Sequence, residues 1–198
     1  MTQTKTLSDY LGLHQDSVTL ANANLVIVDV QNEYFSGELA LPEAQTSLVV
    51  IQDLLQRARQ AGTPVFHVRH LGLDGSIFDP QGPRSAIVDA LTPLSNEPVF
   101  SKQLPNSFTA EGFAEALKAS GRPYLIVVGY MTHMCISATV RSALDHGFLS
   151  VVPADATDTR DLPDPLSGEV LPAKEIKRQA LTALHDLYAR VIPSASSL

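Results

Sequence analysis

The chain contains a single cysteine, Cys135, so no disulfide can form within it and its fold does not depend on an oxidising compartment. Long apolar runs are also missing, and the longest ones present are far shorter than a membrane span. The N-terminal segment has no long apolar stretch of the kind that signal peptides carry. These absences predict a cytoplasmic protein that makes no membrane contact.

Basic residues are too few and too scattered to suggest a polyanionic partner. The formal net charge is −7, and it is spread along the chain. This balance argues against nucleic acid and anionic lipid as partners and is compatible with a cationic or neutral small-molecule substrate. No repeat or linker interrupts the 198 residues, a length that fits one domain. We therefore expect a single domain over 1–198, with residues 1–20 as an N-terminal extension.

Short apolar segments alternate with segments of helical periodicity. In segment 46–60, Leu48, Ile51 and Leu55 fall on one stripe, which is typical of an amphipathic helix. Apolar strands separated by helices are typical of a parallel sheet covered on both faces. The sequence thus predicts an α/β fold: a single three-layer αβα domain with a mostly parallel sheet. The predicted strands are 25–30, 65–69, 99–102, 124–129, 149–153 and 190–193, and the predicted helices are 46–60, 110–118, 135–146 and 174–189.

Polar residues capable of chemistry lie at the ends of several predicted strands. Asp29 ends the first strand, His70 follows the second, Lys102 ends the third and Cys135 follows the fourth. The carboxyl ends of parallel strands form one edge of a sheet, and ligands bind at that edge. We therefore expect these four residues to lie close together.

Cys135 is predicted to lie where a strand turns into a helix. Free N–H groups and the macrodipole at a helix N-terminus stabilise a thiolate and can hold an oxyanion. A facing Asp29 could accept the thiol proton, and Lys102 between them would stabilise the thiolate. Taken alone, each residue also has a plainer interpretation. A lone cysteine is commonly a small buried apolar residue, an aspartate often satisfies a loop, and a lysine often extends to solvent.

Three motifs occur in order along the chain. Asp29 begins the run Asp-Val-Gln-Asn, Lys102 is followed by Ser107 and Phe108, and residues 129–135 read GYMTHMC, which matches G-x-x-T-x-x-C. In these motifs and their spacing, over roughly residues 25–156, the chain resembles the isochorismatase-like hydrolase family. That family includes nicotinamidases, carbamoylsarcosine amidohydrolases, ureidoacrylate amidohydrolases and streptothricin hydrolases.

The resemblance implies a cysteine hydrolase with Asp29, Lys102 and Cys135 as its catalytic set. It also implies a cis peptide bond between Tyr130 and Met131, which would direct the Met131 N–H, together with the Cys135 N–H, into an oxyanion hole. The expected reaction is cleavage of a C–N bond in a small amide, carbamoyl or ureido substrate through a thioester. Two alternatives remain: a vinyl-ether hydrolysis of the isochorismatase type, and a non-catalytic binding member of the fold.

The substrate pocket is built from loops, whose shape a single sequence does not reveal. Nicotinamidases carry an Asp-x-His and further histidines that bind a metal, whereas the corresponding stretch here reads FHVRH. Because His67 and His70 are three apart in a predicted strand, they should point to opposite faces. We therefore expect no metal, with His67 as a core or inter-element residue, and the expected reaction needs no organic cofactor. The candidate pocket residues are Gln31, Tyr34, Phe35, His70, Phe78 and Phe108.

Segment 157–172 is long for a loop in a compact domain. We expect it to be either a lid or a subunit contact, with a plain surface loop as the alternative. Members of the resembling family are usually oligomers, so the resemblance implies a homodimer or a larger assembly.

Overall fold

A parallel sheet forms the centre of the protein. The computed structural model describes residues 4–13 and 16–198. In this part of the chain, six strands lie in the order β3-β2-β1-β4-β5-β9, and each neighbouring pair is parallel. The α/β fold and the parallel sheet predicted from the sequence are confirmed. The strands are β1 Ala23–Val28, β2 Val65–His70, β3 Val99–Lys102, β4 Tyr124–Tyr130, β5 Leu149–Pro153, β6 Thr157–Asp158, β7 Leu162–Pro163, β8 Val170–Leu171 and β9 Ala189–Ile192.

Helices cover both faces of the sheet. One apolar layer includes Leu48, Ile51 and Leu55 of α3, and the other includes Phe113 of α4 and Leu184 of α6. All six residues of β1 are buried because both of its faces are covered. The helices are α1 Leu7–Leu11, α2 Glu33–Ser36, α3 Ala44–Gln60, α4 Phe113–Ala119, α5 Ser137–Asp145 and α6 Ala173–His185, and a single π-helical turn, Thr132–Ile136, leads into α5.

The strand order reverses between β1 and β4. From β1 the chain moves outward through β2 to β3, then returns to the other side of β1 and continues through β4, β5 and β9. In sheets of this kind the ligand crevice lies beyond the carboxyl ends of the two strands at the reversal. Asp29 directly follows β1, and the turn that carries Cys135 follows β4. The topology therefore places both residues at this crevice.

Several element boundaries differ from the sequence predictions. The helical segment around Cys135 begins three residues earlier, at Thr132, because a π-helical turn precedes α5. The predicted helix 110–118 begins only at Phe113, since Gly112 adopts a left-handed conformation with φ of 76°. Within the predicted extension 1–20, α1 is tied to the body by the Ser8 N–H, which donates to the Asp186 carbonyl oxygen at 2.8 Å.

Segment 157–172 is more structured than a plain loop. Its first two residues form β6, which runs parallel to the last two residues of β4, Gly129 and Tyr130. Further on, β7 and β8 form a short antiparallel hairpin that stands apart from the main sheet. In the described part of the chain, no helix is long and apolar enough to cross a bilayer.

Candidate active site

Asp29 occupies an unusual backbone position directly after β1. Its φ is 54°, in the left-handed region that few residues other than glycine, asparagine and aspartate adopt. The Asp29 N–H still donates to the Val68 carbonyl oxygen at 2.9 Å, so the residue stays joined to β2. The carboxylate is fully buried. This conformation turns the side chain into the crevice between the strand ends, where a buried charge requires a partner.

Gly129 allows β4 to approach β1 at the same level. Its φ is 114°, and a Cβ atom placed on it would lie 2.0 Å from the Val28 carbonyl oxygen. No other residue type fits such a contact, which explains the glycine of the GYMTHMC motif. The close approach brings the turn after β4 beside Asp29.

Lys102 joins the three residues that the sequence predicts to be catalytic. Its ammonium donates to Asp29 Oδ2 at 2.6 Å and lies 3.5 Å from Cys135 Sγ. The side chains of Lys102 and Asp29 are both completely buried, and Cys135 is 4% exposed. Asp29 Oδ1 has no hydrogen-bond partner among the described residues. The structure thus brings a carboxylate, an ammonium and a thiol into one buried cluster, in which Asp29 Oδ1 is available to accept a hydrogen bond.

The electrostatics of the cluster favour a protonated Cys135 in the resting protein. Burial and the negative charge of Asp29 raise the pKa of the Cys135 thiol to about 12, although Lys102 acts in the opposite direction. Burial also raises the pKa of Asp29, and Lys102 offsets part of that effect. The helix N-terminus alone therefore does not make Cys135 a thiolate in the resting protein, because burial and the Asp29 charge act against it. A protonated thiol can act as a nucleophile only if a base accepts its proton, and the Asp29 carboxylate contacts the same Lys102 ammonium as the thiol.

Ser107 ties the chain after Lys102 to the helix that follows Cys135. Its N–H donates to Thr139 Oγ1 at 3.0 Å, and the two hydroxyl oxygens lie 2.7 Å apart. Both side chains are fully buried. The contact holds the end of β3 against α5, which accounts for the serine that follows Lys102 in the sequence motif.

His70 borders the cluster at the end of β2. Its Nδ1 lies 3.5 Å from the Lys102 ammonium, and burial together with the Lys102 charge lowers its pKa. The Gln31 amide holds the His70 backbone: its Oε1 accepts the His70 N–H, and its Nε2 donates to the His70 and Ser85 carbonyl oxygens, all within 2.7–2.8 Å. Gln31 was predicted to line the pocket, and this is corrected: its amide is fully engaged by backbone groups and it is completely buried.

Aromatic side chains form a wall beside the cluster. His70 packs edge-on against Phe78 with ring centroids 5.0 Å apart, and Phe78 packs against Tyr34 at 5.6 Å. Tyr34 and Phe35 both pack against Tyr130, at 5.5 and 6.0 Å. Burial raises the pKa of Tyr34, and the negative charge of Asp29 adds to this effect. Four of the predicted pocket residues thus lie together next to the catalytic candidates.

Phe108 does not belong to this wall. Its ring stacks on His146 with centroids 4.3 Å apart and also packs against Phe113. His146 follows the far end of α5, whereas Cys135 precedes its beginning. Phe108 is therefore part of the core between α4 and α5, and its prediction as a pocket residue is corrected.

The turn between β4 and α5 is fixed by hydrogen bonds on both sides of Met131, whose N–H is one of the two candidate oxyanion-hole donors. The Tyr130–Met131 peptide bond is cis. The Tyr130 hydroxyl donates to the Ala44 carbonyl oxygen at 2.9 Å, and Thr132 Oγ1 donates to the Asp158 carbonyl oxygen at 3.0 Å. Cys135 is the fourth residue of the π-helical turn, a type of turn found frequently at functional sites.

Arg160 and His133 lie close enough to influence each other, and Arg160 also influences Tyr34; neither residue was predicted from the sequence. Arg160 follows β6 by two residues, and its Nε is buried without a hydrogen-bond partner among the described residues. Burial and the positive charge of Arg160 lower the pKa of His133, and Arg160 also lowers that of Tyr34 against the larger effect of burial. The one feature that marks Arg160 in the sequence is that it is the sole basic residue in an otherwise acidic stretch.

The two histidines of β2 have separate environments. His67 is 1% exposed, and its Nε2 lies 3.2 Å from Glu97, which also forms a two-pronged ion pair with Arg59 at 2.8 Å. His70 lies at the catalytic cluster. Across residues 4–13 and 16–198, no group of three or more histidine, cysteine or acidic side chains is arranged to hold a metal ion. The position of His67 agrees with the core location predicted for it.

The chain belongs to the isochorismatase family. The profile of the isochorismatase domain matches residues 23–196, which confirms the resemblance seen in the three motifs. The crystal structure of an isochorismatase from Pseudomonas putida KT2440 is 39% identical, with a TM-score of 0.92, and the match covers 98% of this chain and 99% of that one. An uncharacterized isochorismatase family protein of Bacillus subtilis, YddQ, is 37% identical over 84% of this chain and 93% of its own length.

Relatives with named substrates are also similar. A streptothricin hydrolase of Streptomyces noursei is 35% identical over 88% of this chain, which spans 63% of that enzyme. A maleamate amidohydrolase of Pseudomonas putida and a ureidoacrylate amidohydrolase of Methylobacterium radiotolerans are each 27% identical over 69% of this chain, and the matches cover 72% and 67% of those enzymes. The family is thus a hydrolase family. A secreted isochorismatase effector of Verticillium dahliae is 33% identical over 93% of this chain and 94% of its own length, so the cytoplasmic location stays a prediction.

Proposed function

We propose that this protein is a cysteine hydrolase that cleaves a C–N bond in a small amide, carbamoyl or ureido substrate. The observation that carries the proposal is the buried contact of Lys102 with both Asp29 and Cys135. A nucleophile, a base and a fixed positive charge within reach of one another are what covalent acyl transfer requires. A merely structural cysteine needs neither a buried carboxylate with a free oxygen nor a buried ammonium.

The first half of the reaction forms a thioester. Asp29 accepts the Cys135 proton as the sulfur attacks the substrate carbonyl carbon, so that no free thiolate needs to exist beforehand. The Met131 and Cys135 N–H groups hold the oxyanion of the tetrahedral intermediate. Asp29 then passes its proton to the departing nitrogen, the C–N bond breaks, and an amine or ammonia leaves. Lys102 keeps the Asp29 carboxylate oriented and balances its charge.

The second half of the reaction releases the acid. Asp29, again a carboxylate, takes a proton from a water molecule that attacks the thioester carbonyl carbon. The same two N–H groups hold the second oxyanion. When the C–S bond breaks, the proton on Asp29 returns to the Cys135 sulfur, and the enzyme regains its starting state. No metal or organic cofactor enters either half.

Arg160 supports a more specific proposal about the substrate. An arginine with a buried, unpaired Nε at the edge of an active site is suited to a carboxylate, which it can bind with two hydrogen bonds. The names of two relatives point the same way, since maleamate and ureidoacrylate each combine a carboxylate with an amide or ureido group. We propose that the substrate carries a carboxylate in addition to the bond that is cleaved, which departs from the cationic or neutral substrate suggested by the net charge.

A substrate screen tests both levels of the proposal. Small amides, carbamoyl compounds and ureides are assayed for release of ammonia or amine, each as the free carboxylate and as its methyl ester or neutral analogue. We expect hydrolysis of some of them, with a higher kcat/KM for the carboxylates. Arg160→Gln should reduce that preference mainly through KM, and Arg190→Gln, at an exposed position on the edge strand β9, serves as the charge-matched control. Hydrolysis of vinyl ethers with no amide turnover would favour the alternative reaction and contradict the proposal.

A further inference from the structure

Three hydrogen-bond acceptors surround the Lys102 ammonium. Asp29 Oδ2 lies 2.6 Å from it, and Cys135 Sγ and His70 Nδ1 each lie 3.5 Å from it. A lysine ammonium has three N–H donors and no acceptor. Its three protons are matched by these three atoms, and the Lys102 side chain is completely buried. Lys102 therefore has no donor left for a substrate.

The contact with Lys102 determines which nitrogen of the His70 ring carries a proton. Because the ammonium can only donate, Nδ1 must accept, and an accepting ring nitrogen carries no proton. A proton on Nδ1 would instead point at a positive charge. Burial and the Lys102 charge accordingly lower the pKa of His70, although the Asp29 charge acts in the opposite direction. His70 is therefore a neutral ring whose single N–H is on Nε2.

The remaining surroundings hold this ring in one orientation. The Gln31 amide binds both the N–H and the carbonyl oxygen of His70, and Phe78 packs edge-on against the ring at 5.0 Å. No described residue binds Nε2, and the half-buried ring leaves that atom accessible to solvent. The Nε2–H is therefore a fixed donor that lacks a protein partner.

This donor lies close to the reacting atoms. His70 Nδ1 and Cys135 Sγ both contact the Lys102 ammonium, so they are no more than about 7 Å apart. An acceptor bound to Nε2 lies about 3 Å beyond that nitrogen. A small molecule whose carbonyl carbon is next to Cys135 can therefore span the distance with only a few bonds.

We propose that the His70 Nε2–H binds an oxygen acceptor of the substrate, located a few bonds from the carbonyl carbon that Cys135 attacks. The acceptor is a hydroxyl, carbonyl or carboxylate oxygen. Lys102 holds Nδ1 and so keeps the donor in position. A site with an unpaired donor at this point selects against substrates that lack the acceptor. This inference rests on the proposed function and adds an uncharged recognition group to the cationic Arg160.

Long-range ¹H–¹⁵N correlation NMR of the free protein tests the protonation of the ring. The His70 signals are assigned by their loss in His70→Gln. We expect an unprotonated Nδ1 and a protonated Nε2 between pH 7 and 8. A ring with a proton on Nδ1 would overturn the proposal. The measurement needs no substrate, so it still decides the inference if no amide is hydrolysed and the proposed function fails.

Two substitutions separate the donor from the contact with Lys102. The longer side chain in His70→Gln brings an amide N–H near the position of Nε2. The shorter one in His70→Asn brings its oxygen near the position of Nδ1, so it keeps the acceptor for Lys102 and loses the donor. His146→Asn, at an exposed histidine beyond α5, is the matched control.

The variants are compared on amides accepted in the screen, each paired with an analogue that lacks the second oxygen. For amides with the acceptor, His70→Asn should lower kcat/KM by about tenfold to a hundredfold, mainly through KM, and His70→Gln by about threefold or less. For the analogues, both variants and the control should match the wild type. Equal losses with and without the acceptor, or a larger loss in His70→Gln than in His70→Asn, would mean that the ring only supports Lys102 and would overturn the proposal.

Discussion

Replacing Asp29 by asparagine should make the Cys135 thiol more acidic and the enzyme less active. The two effects have one cause, since the carboxylate both raises the pKa of the thiol and accepts its proton. An Asp29→Asn side chain has nearly the same shape but no charge and no basic oxygen. Lys102, 3.5 Å from the sulfur, then stabilises the thiolate without an opposing carboxylate.

The structure sets the size of the change in acidity. Asp29 and Cys135 both contact the Lys102 ammonium, so their charged atoms are no more than about 6 Å apart. At that separation a unit charge changes the energy of the thiolate by about 3 kcal/mol for an effective dielectric constant of about 20. The pKa of Cys135, which is about 12 in the unaltered protein, should therefore fall by about two units.

The rate of alkylation by iodoacetamide measures this change, because Cys135 is the sole thiol in the chain. At pH 8 the thiolate fraction should rise by about a hundredfold in Asp29→Asn, and the alkylation rate should rise with it. Turnover should fall by a factor of about 10²–10⁴, as expected for loss of a general base. The control is Asp53→Asn on the exposed side of α3. An unchanged or slower alkylation would refute the electrostatic reasoning, and faster alkylation with full turnover would refute the role of Asp29 as base.

Three further predictions concern two buried ion pairs and the metal requirement. Lys102→Met leaves Asp29 buried without its partner, so we expect a loss of about 3–5 kcal/mol in unfolding free energy near neutral pH. Because burial raises the pKa of Asp29, this loss should shrink as the pH falls and the carboxyl becomes protonated, as urea titrations at several pH values would reveal. Burial opposes ionisation of Glu97, but Arg59, the Leu94 N–H and His67 lower its pKa to about 2. The unfolding free energy of the wild-type protein should therefore decrease as the pH falls from about 4.5 towards 2. Glu97→Gln should be less stable than the wild type by about 3 kcal/mol at neutral pH, and its unfolding free energy should decrease less over the same pH range. Turnover should survive exhaustive chelation, and activity that returns only with a stoichiometric metal ion would contradict this.

The positions of the catalytic candidates were predictable because they depend on local sequence and on one rule of topology. Asp29 directly follows a fully apolar strand, Lys102 ends another, and Cys135 follows a third. Parallel strands bring such positions to one edge of the sheet. The parallel fold itself followed from the same alternation of apolar strands and helices.

The features that the sequence did not predict correctly depend on contacts between distant segments. The Gln31 amide is satisfied by the backbone of His70, 39 positions away, and no local pattern marks that pairing. Phe108 packs against the core and not the pocket because its ring contacts Phe113 of α4 and His146 after α5, the latter distant in sequence. Arg160 follows β6, a two-residue strand that pairs with the end of β4 and is too short for any periodicity.

The protonation state of Cys135 also depends on contacts that the local sequence does not reveal. The helix N-terminus, a local feature, favours a thiolate. Burial and the Asp29 charge, which depend on the tertiary structure, oppose it and prevail. The local sequence therefore indicates Cys135 as the candidate nucleophile, whereas its resting protonation state depends on the folded environment.

In the proposed mechanism, Cys135 attacks the substrate and carries the acyl group. The most direct test is rapid acid quenching during turnover of any substrate accepted in the screen, followed by intact-mass analysis of the protein. We expect an added mass equal to the acyl portion of the substrate, located on the peptide that contains Cys135. The adduct should be missing in Cys135→Ala, which should have no turnover. A Cys135→Ala protein that retains most of its rate and forms no adduct would contradict it.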